Sequence, residues 1–436
     1  MGVAERCSDE VAFRCLSLLE NLLESLHPRD FAIRLWDGSG LAPEPGQPAR
    51  FTLVIRKPSA LRTMALAPDE LALGEAYVCG DLDIEGDLGC AFALGDHLVR
   101  RRGSVGERFR RARQLLSLPR EDRFHRLRRR AKIGGRLHSI SRDRAAVGYH
   151  YDVSNEFYAL WLDRRMVYSC GYFADPGEEL DVAQERKLDT ICRKLRLLPG
   201  DRLLDIGSGW GGLILHAAAR YGAEAVGITL NRPQADLAGD RIREAGQGAR
   251  CRVEVRDYRE TDGFGVFDKL ASVGMFEHVG ISRLKEYFRR AFRLLRPGGV
   301  FLNQGIACHP SYPVLPGPSF SDHHIFPDGE LVPVSTTLRI AEEEGFEVRD
   351  VESLREHYVL TLRHWRRRLE ERAGEARRLV GEATYRTWRL YLAGAAHTFL
   401  VGKNNVYQTL LVKPEKGRAG LPLTREDWYR REPQAC

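Results

Sequence analysis

From residue 200 onward the chain alternates short apolar runs with helical stretches, and no other feature restricts its fold as much. RLLDI (202–206) reads as a strand and GGLILHAAARY (211–221) as a helix; EAVGITL (224–230) is a second strand, with a helix beginning near Pro233. CRVEVRD (251–257), FDKLASV (267–273) and GVFLNQGIA (299–307) continue the series. A helix over about 282–295 is expected to stop at RPGG, as Pro-Gly-Gly demands. Strands and helices that alternate in this way build a doubly wound, mainly parallel sheet. The expected class is α/β.

Ligands of such sheets sit at the C-terminal ends of the strands. The first strand runs into LLDIGSGWGG (203–212), where Asp205 closes the strand and Gly207, Gly209 and Gly211 allow a tight turn into the helix. A ligand that approaches backbone N–H groups closely needs residues without a Cβ. The spacing is D-x-G-x-G-x-G, not the GxGxxG of dinucleotide sites, and a glycine-rich turn alone is also common for packing reasons. The second strand ends in GITLNRPQ, without the acidic residue that usually holds a ribose, which leaves backbone with Thr229 and Gln234 to serve. The third ends in Asp257–Tyr258, a carboxylate and a ring suited to an adenine. This pattern resembles the class I methyltransferases that use S-adenosylmethionine, with NAD binding as the competitor. The fourth strand ends in SVGMFEHVG (272–280), which places Glu277 and His278 at a strand end.

At 436 residues the chain calls for two domains. No apolar run is long enough to span a membrane, MGVAERCSDE lacks the apolar core of a signal peptide, and nine cysteines without a CxxC fit a reducing compartment. A cytoplasmic protein is expected. Its net charge of +7 is concentrated: residues 100–144 hold 17 Arg and Lys against four Asp and Glu, leaving about −6 for the rest. Such a segment reads either as a solvated linker or as a surface for phosphate groups, of a bilayer or of nucleic acid. Phe109, Leu115, Leu116, Leu118, Phe124 and Leu127 are interspersed as an interfacial helix requires. Before it, residues 8–27 carry apolar positions at helical spacing, and FAIRLW (31–36) and RFTLVIR (50–56) read as strands of a small α+β region.

The residues beyond the glycine turn resemble one family: the cyclopropane fatty acyl phospholipid synthases and mycolic acid cyclopropane synthases. The resemblance rests on YHYDVSNEFYALWLD (149–163), MVYSCGYF (166–173), LLDIGSGWGG, GITLNRPQ, RDYRE (256–260), SVGMFEHVG, IFPDGELVP (325–333) and VYQTLLVK (406–413), in family order. GEAYVCGDLDIEGDL (74–88) is similar to the N-terminal domain of longer members. The resemblance implies a class I (Rossmann-like) methyltransferase domain over 145–415, a smaller α+β N-terminal domain over 1–99 for lipid binding or dimerisation, a basic connector over 100–144 and a tail over 416–436. S-adenosylmethionine would be held by Tyr168, Ser169, Asp205, Gly207, Ser208, Gly209, Trp210, Gly211, Thr229, Leu230, Gln234, Asp257 and Tyr258.

By the same resemblance the substrate is a cis-unsaturated acyl chain of a phospholipid in an anionic membrane surface, with a peripheral enzyme at its inner face and a homodimer as the family's assembly. Methyl transfer to an alkene leaves a carbocation, and loss of a proton from the new methyl group closes a cyclopropane. A bicarbonate ion is the implied base, in a cage to which Glu277, Tyr358, Cys170 and the Ile306 backbone correspond; Glu277 would orient the anion and share a proton with it. Two positions depart from the family. Its cage histidine is Gln304 here, and a cysteine near the C-terminal helix is Ala395. Gln304 donates a hydrogen bond but carries no proton or charge. A weakened cage would leave a methyl-branched or methylene chain instead of a ring. Ser208, where the family often has cysteine, is a mild change. His278 is a general-base candidate or an anchor of the following turn, and His309, His323 and His324 read as loop histidines with no metal implied. A nucleic-acid methyltransferase is expected to carry an N/D-P-P-Y/F tetrapeptide where GMFEHVG stands. A lipid-surface adaptor without catalysis is the non-enzyme competitor.

Overall fold

The computed structural model describes residues 10–61, 70–100, 133–151, 153–312 and 319–429. Most of the basic segment, the proline-rich stretch 313–318 and the last seven residues lie outside them. Among the described residues, no helix is long and apolar enough to cross a membrane. Compactness divides the chain into two units that are not contiguous in sequence: residues 315–325 and 380–397, inside the stretch expected to form the methyltransferase domain, cluster with the N-terminal residues.

In the first unit, helix α1 (Glu10–Leu23) buries Cys15, Leu16, Leu18, Leu19 and Leu23. It shares a core with a sheet of β1 (Ala32–Arg34), β2 (Gly40–Leu41), β3 (Phe51–Ile55) and β4 (Leu82–Gly86), in the order β2-β1-β3-β4. Helices α2 (Glu70–Cys79) and α3 (Leu88–Arg100) flank β4 in sequence. Phe320 joins this core, its ring lying over Gly74, where a Cβ would come within 2.3 Å of it. The α+β reading of this region holds.

The second unit is built on seven strands: β5 (Arg202–Ile206), β6 (Glu224–Thr229), β7 (Cys251–Val255), β8 (Phe267–Val273), β9 (Leu295–Cys308), β10 (Glu347–Ser353) and β11 (Asn404–Val412). Their order is β10-β11-β9-β8-β5-β6-β7. Strands β5 to β9 pair in parallel, whereas β11 runs antiparallel to both neighbours. The central parallel strands are largely apolar because helices cover both faces; four of the five β5 residues are buried, whereas the edge strand β7, CRVEV, buries only Cys251. These helices are α4 (Ile140–Tyr151), α5 (Leu180–Leu195), α6 (Gly212–Tyr221), α7 (Arg232–Glu244), α8 (Leu284–Leu294), α9 (Val334–Glu343) and α10 (Arg355–Glu371). The stripe Leu284, Tyr287, Phe288, Ala291 and Leu294 of α8 is buried, the i, i+3, i+4, i+7 pattern of a helix laid on a sheet. α8 ends at Leu294, before RPGG, but β9 begins at once: Gly298 donates its N–H to the Lys413 carbonyl, so the turn residues open the strand. The last long helix, α11 (Ala373–Leu400), is broken at Gly381, whose φ is 79°.

Candidate active site

The glycine turn leaves β5 as expected. Gly207, Gly209 and Gly211 have φ of 85°, 52° and 78°, the left-handed region that only glycine enters without strain. A Cβ on Gly207 would lie 2.6 Å from the Met275 Cβ, so the missing side chain lets the β8 loop close on the turn. A pocket opens at the C-terminal ends of β5 to β8. Ile206, Gly207 and Gly209 line it from β5, Thr229, Leu230 and Gln234 from β6, and Asp257 and Tyr258 from β7. Gly274, Met275 and His278 close it from β8, while Asp143, Val147 and Tyr151 of α4 also line it.

Several polar groups expected to face a ligand are engaged with protein. Thr229 Oγ1 donates to Gln234 Oε1 (3.0 Å), and the Gln234 N–H is capped by Asn231 Oδ1. Arg259 binds both oxygens of the buried Asp257 at 2.6–2.9 Å, and it also donates to Asp143 and the His138 carbonyl. Ser208 is buried against Gly227, and Trp210 is buried with its indole N–H donating to Asn155 Oδ1. Tyr168 stands in an aromatic cluster with His150, Tyr158, Trp161 and Trp365, ring centroids 5.1–5.6 Å away. Asp205 is different. Its Oδ1 is enclosed without a hydrogen-bond partner, and burial lifts its carboxyl to about 7.

Glu277 follows the end of β8. The β8–β9 ladder ends where Gly274 donates to the Gln304 carbonyl; the next β9 N–H facing that side, Ile306, has no strand to pair with. Glu277 Oε1 accepts it at 2.7 Å. The second oxygen, Oε2, is enclosed and has no partner. Burial pushes this carboxyl up to about 7 against the pull of the Ile306 N–H. Across β9, Val406 pairs with Ile306, and its carbonyl accepts the Leu354 N–H. The Leu354 carbonyl in turn faces the Cys170 thiol at 3.7 Å, and the Tyr358 N–H closes the first turn of α10 on it. Glu277, Ile306, Cys170 and the helix bearing Tyr358 thus meet through one chain of contacts. Cys170 is held as a thiol, burial raising it well above its ordinary range.

The remaining expectations find these places. His278 lines the pocket as a neutral ring, burial and the neighbouring His138 driving it down to about 4. His323 and His324 lie on a short helix, Phe320–His324, and not in a loop. Ser319 caps that helix, and His324 is buried 3.3 Å from Glu75. Ala395 belongs to the first unit.

Two lysines that sequence reasoning passed over are buried in α5. Lys187 donates to Ser169 Oγ at 2.9 Å; burial drives its ammonium down to about 8, with Asp163, Cys170 and Asp205 acting in the other direction. Lys194 binds Glu352 and Gln408 Oε1 (2.7 Å). Their signal is positional: Gln184, Lys187 and Lys194 occupy the buried stripe of α5, where only apolar residues belong.

Residues 138–409 match the model of the mycolic acid cyclopropane synthetase family. The chain belongs to that family. It is therefore an enzyme of an S-adenosylmethionine-dependent lipid methyltransferase family, with the class I sheet expected of it. A domain family of unknown function matches residues 18–93. A probable fatty acid methyltransferase of Pseudomonas putida is 42% identical over 95% of this chain and 100% of its own. The tuberculostearic acid methyltransferase of Mycobacterium tuberculosis is 33% identical, covering 87% of this chain and 88% of its own. A solved mycolic acid cyclopropane synthase complexed with S-adenosylhomocysteine superposes with a TM-score of 0.58 at 33% identity, over 62% of this chain and 97% of that one.

Proposed function

We propose that this enzyme transfers the methyl carbon of S-adenosylmethionine to the cis double bond of an unsaturated phospholipid acyl chain and that the product is a cyclopropane. One observation carries the reading: the enclosed, unpartnered Oε2 of Glu277 beside the glycine-turn pocket. The pocket fits the donor. Gly207 and Gly209 line it, and a Cβ on Gly209 would meet nothing within 4 Å, so a ligand can approach the backbone closely there. An alkene is a weak nucleophile, so the aromatic cluster around Tyr168 acts by excluding water and holding the reacting carbons in line.

Methyl transfer leaves a positive charge on the acyl chain, and ring closure needs a base for one proton of the new methyl group. Bicarbonate, when bound, supplies that base. Glu277 fits it: with its carboxyl lifted to about 7, it retains a proton to share with an anion, whereas two bare anions repel. Ile306 fixes the rotamer by holding Oε1, which leaves Oε2 as the oxygen without a partner. A second reading, methyl transfer without ring closure, is favoured by Gln304 in place of the family histidine and by relatives named fatty acid methyltransferases.

One assay separates the readings. Purified enzyme is incubated with labelled S-adenosylmethionine and liposomes of unsaturated, partly anionic phospholipid, and the esterified acids are examined by mass spectrometry and proton NMR. Upfield cyclopropane protons are the expected result. Label without them establishes the second reading, and no label in the lipid rejects both. Sedimentation with the same liposomes across a salt series, against DNA retention, tests the peripheral membrane partner that the basic segment suggests.

A further inference from the structure

Gln304 is buried on the β9 face turned toward α5, beside Gln408 on β11. A carboxamide there has two orientations of nearly equal shape, one presenting oxygen to its surroundings and one presenting NH2. Their chemistry is opposite, and its neighbours decide between them. Lys194, 1% exposed at its side chain, carries donors only, as every ammonium does. It binds the Glu352 carboxylate and the Gln408 side chain. Gln408 must therefore turn its oxygen to Lys194, which points its NH2 at Gln304: Nε2 donates to Gln304 Oε1 at 2.9 Å. Gln304 is then forced in its turn. Its oxygen accepts from Gln408 and its NH2 is the group left over; no described residue accepts a hydrogen bond from it. Tyr172 holds the far end of the series by donating to the other Glu352 oxygen at 2.8 Å.

We propose that Lys194 and Gln408 are positioning residues that lock the Gln304 carboxamide as a hydrogen-bond donor to the anion held beside Glu277. This inference rests on the bicarbonate reading above. It gives a physical account of how a neutral amide stands in for a histidine: the position keeps a donor, and the ammonium two hydrogen bonds away removes the acceptor alternative.

The test is a double-mutant cycle in the full-length enzyme, with Gln408→Met, Gln304→Met and the pair. Binding of carbon-13 bicarbonate is read by line broadening, and the ring-to-branch product ratio is read beside it. Gln408→Met should weaken bicarbonate about tenfold, the scale of one hydrogen bond, and shift product toward the branched chain. In the Gln304→Met background it should change binding by less than about twofold, because the amide it orients is gone. A Km for S-adenosylmethionine equal to the parent's shows that the fold is intact; if Gln408→Met raises it, Gln408→Glu supplies the same comparison, since it accepts from Lys194 but cannot donate to Gln304. Additive losses in the cycle, or bicarbonate binding that both Gln408 variants leave unchanged, would overturn the relay alone. A parent enzyme that binds no bicarbonate would overturn the anion reading and the relay together.

Discussion

At the scale of single residues, the site is governed by what burial does to charge. Glu277 is lifted from an ordinary 4.5 to about 7, so between these values the folded protein keeps a proton that the unfolded chain has released. Stability from this group is complete below about pH 4.5 and is lost as the pH rises through 7. Glu277→Gln removes that loss while its amide oxygen still accepts the Ile306 N–H. The variant should be more stable than the parent above pH 7, by up to about 3 kcal/mol, and no more stable near pH 4. Denaturant titrations at the two pH values check this. Its methyl transfer into lipid should fall about 100-fold or more. For the same reason, bicarbonate affinity of the parent should decline as the pH passes 7, and that decline should vanish in Glu277→Gln. Glu277 was legible in the sequence because it sits where an apolar run ends. Lys187 and Lys194 were not, since a lysine in a helix normally reads as a solvated position and only tertiary packing shows these two enclosed.

Secondary-structure elements explain which parts of the sequence could be read and which could not. Strands β5, β6 and β8 announce themselves as mainly apolar runs, and the glycine turn carries its conformation in its composition. β11 does not: NNVYQTLLV mixes polar and apolar residues because Gln408 and Thr409 are buried with partners on β9, and burial of paired polar groups erases the hydrophobic signal. Only the likeness of VYQTLLVK to a family motif marked it. Asp257 lines the pocket, and Arg259, two residues on, takes both its carboxylate oxygens, a local pairing that spacing alone does not reveal. The turn itself offers a sharp test. Gly207→Ala forces a side chain into the left-handed region, at about 1–2 kcal/mol, and drives its Cβ into Met275. A stability loss of roughly 2–4 kcal/mol is expected, with at least about tenfold weaker binding of S-adenosylhomocysteine by calorimetry.

For the molecule as a whole, chain order and spatial order disagree twice. The first unit is completed by residues 380–397, which arrive about 290 residues after its last strand ends at Gly86. The Arg386 guanidinium lies 4.1 Å above the Tyr77 ring and donates to the Tyr77 and Leu82 carbonyls, while Arg389 reaches the Tyr77 hydroxyl at 2.6 Å. Arg386→Ala should lower the melting temperature, costing roughly 2–4 kcal/mol through a lost stacked cation and orphaned carbonyls. Binding of S-adenosylhomocysteine should stay the same, because every residue lining its pocket belongs to the second unit. The second disagreement is β11, the last strand of the large sheet to be made and the one seated between β9 and β10. A ribosome that halts before residue 404 releases a protein that lacks this strand, so that β9 and β10 each present an unpaired edge and Lys194 has no Gln408 to bind. Such a product is not a weaker enzyme but an invitation to proteases and to aggregation.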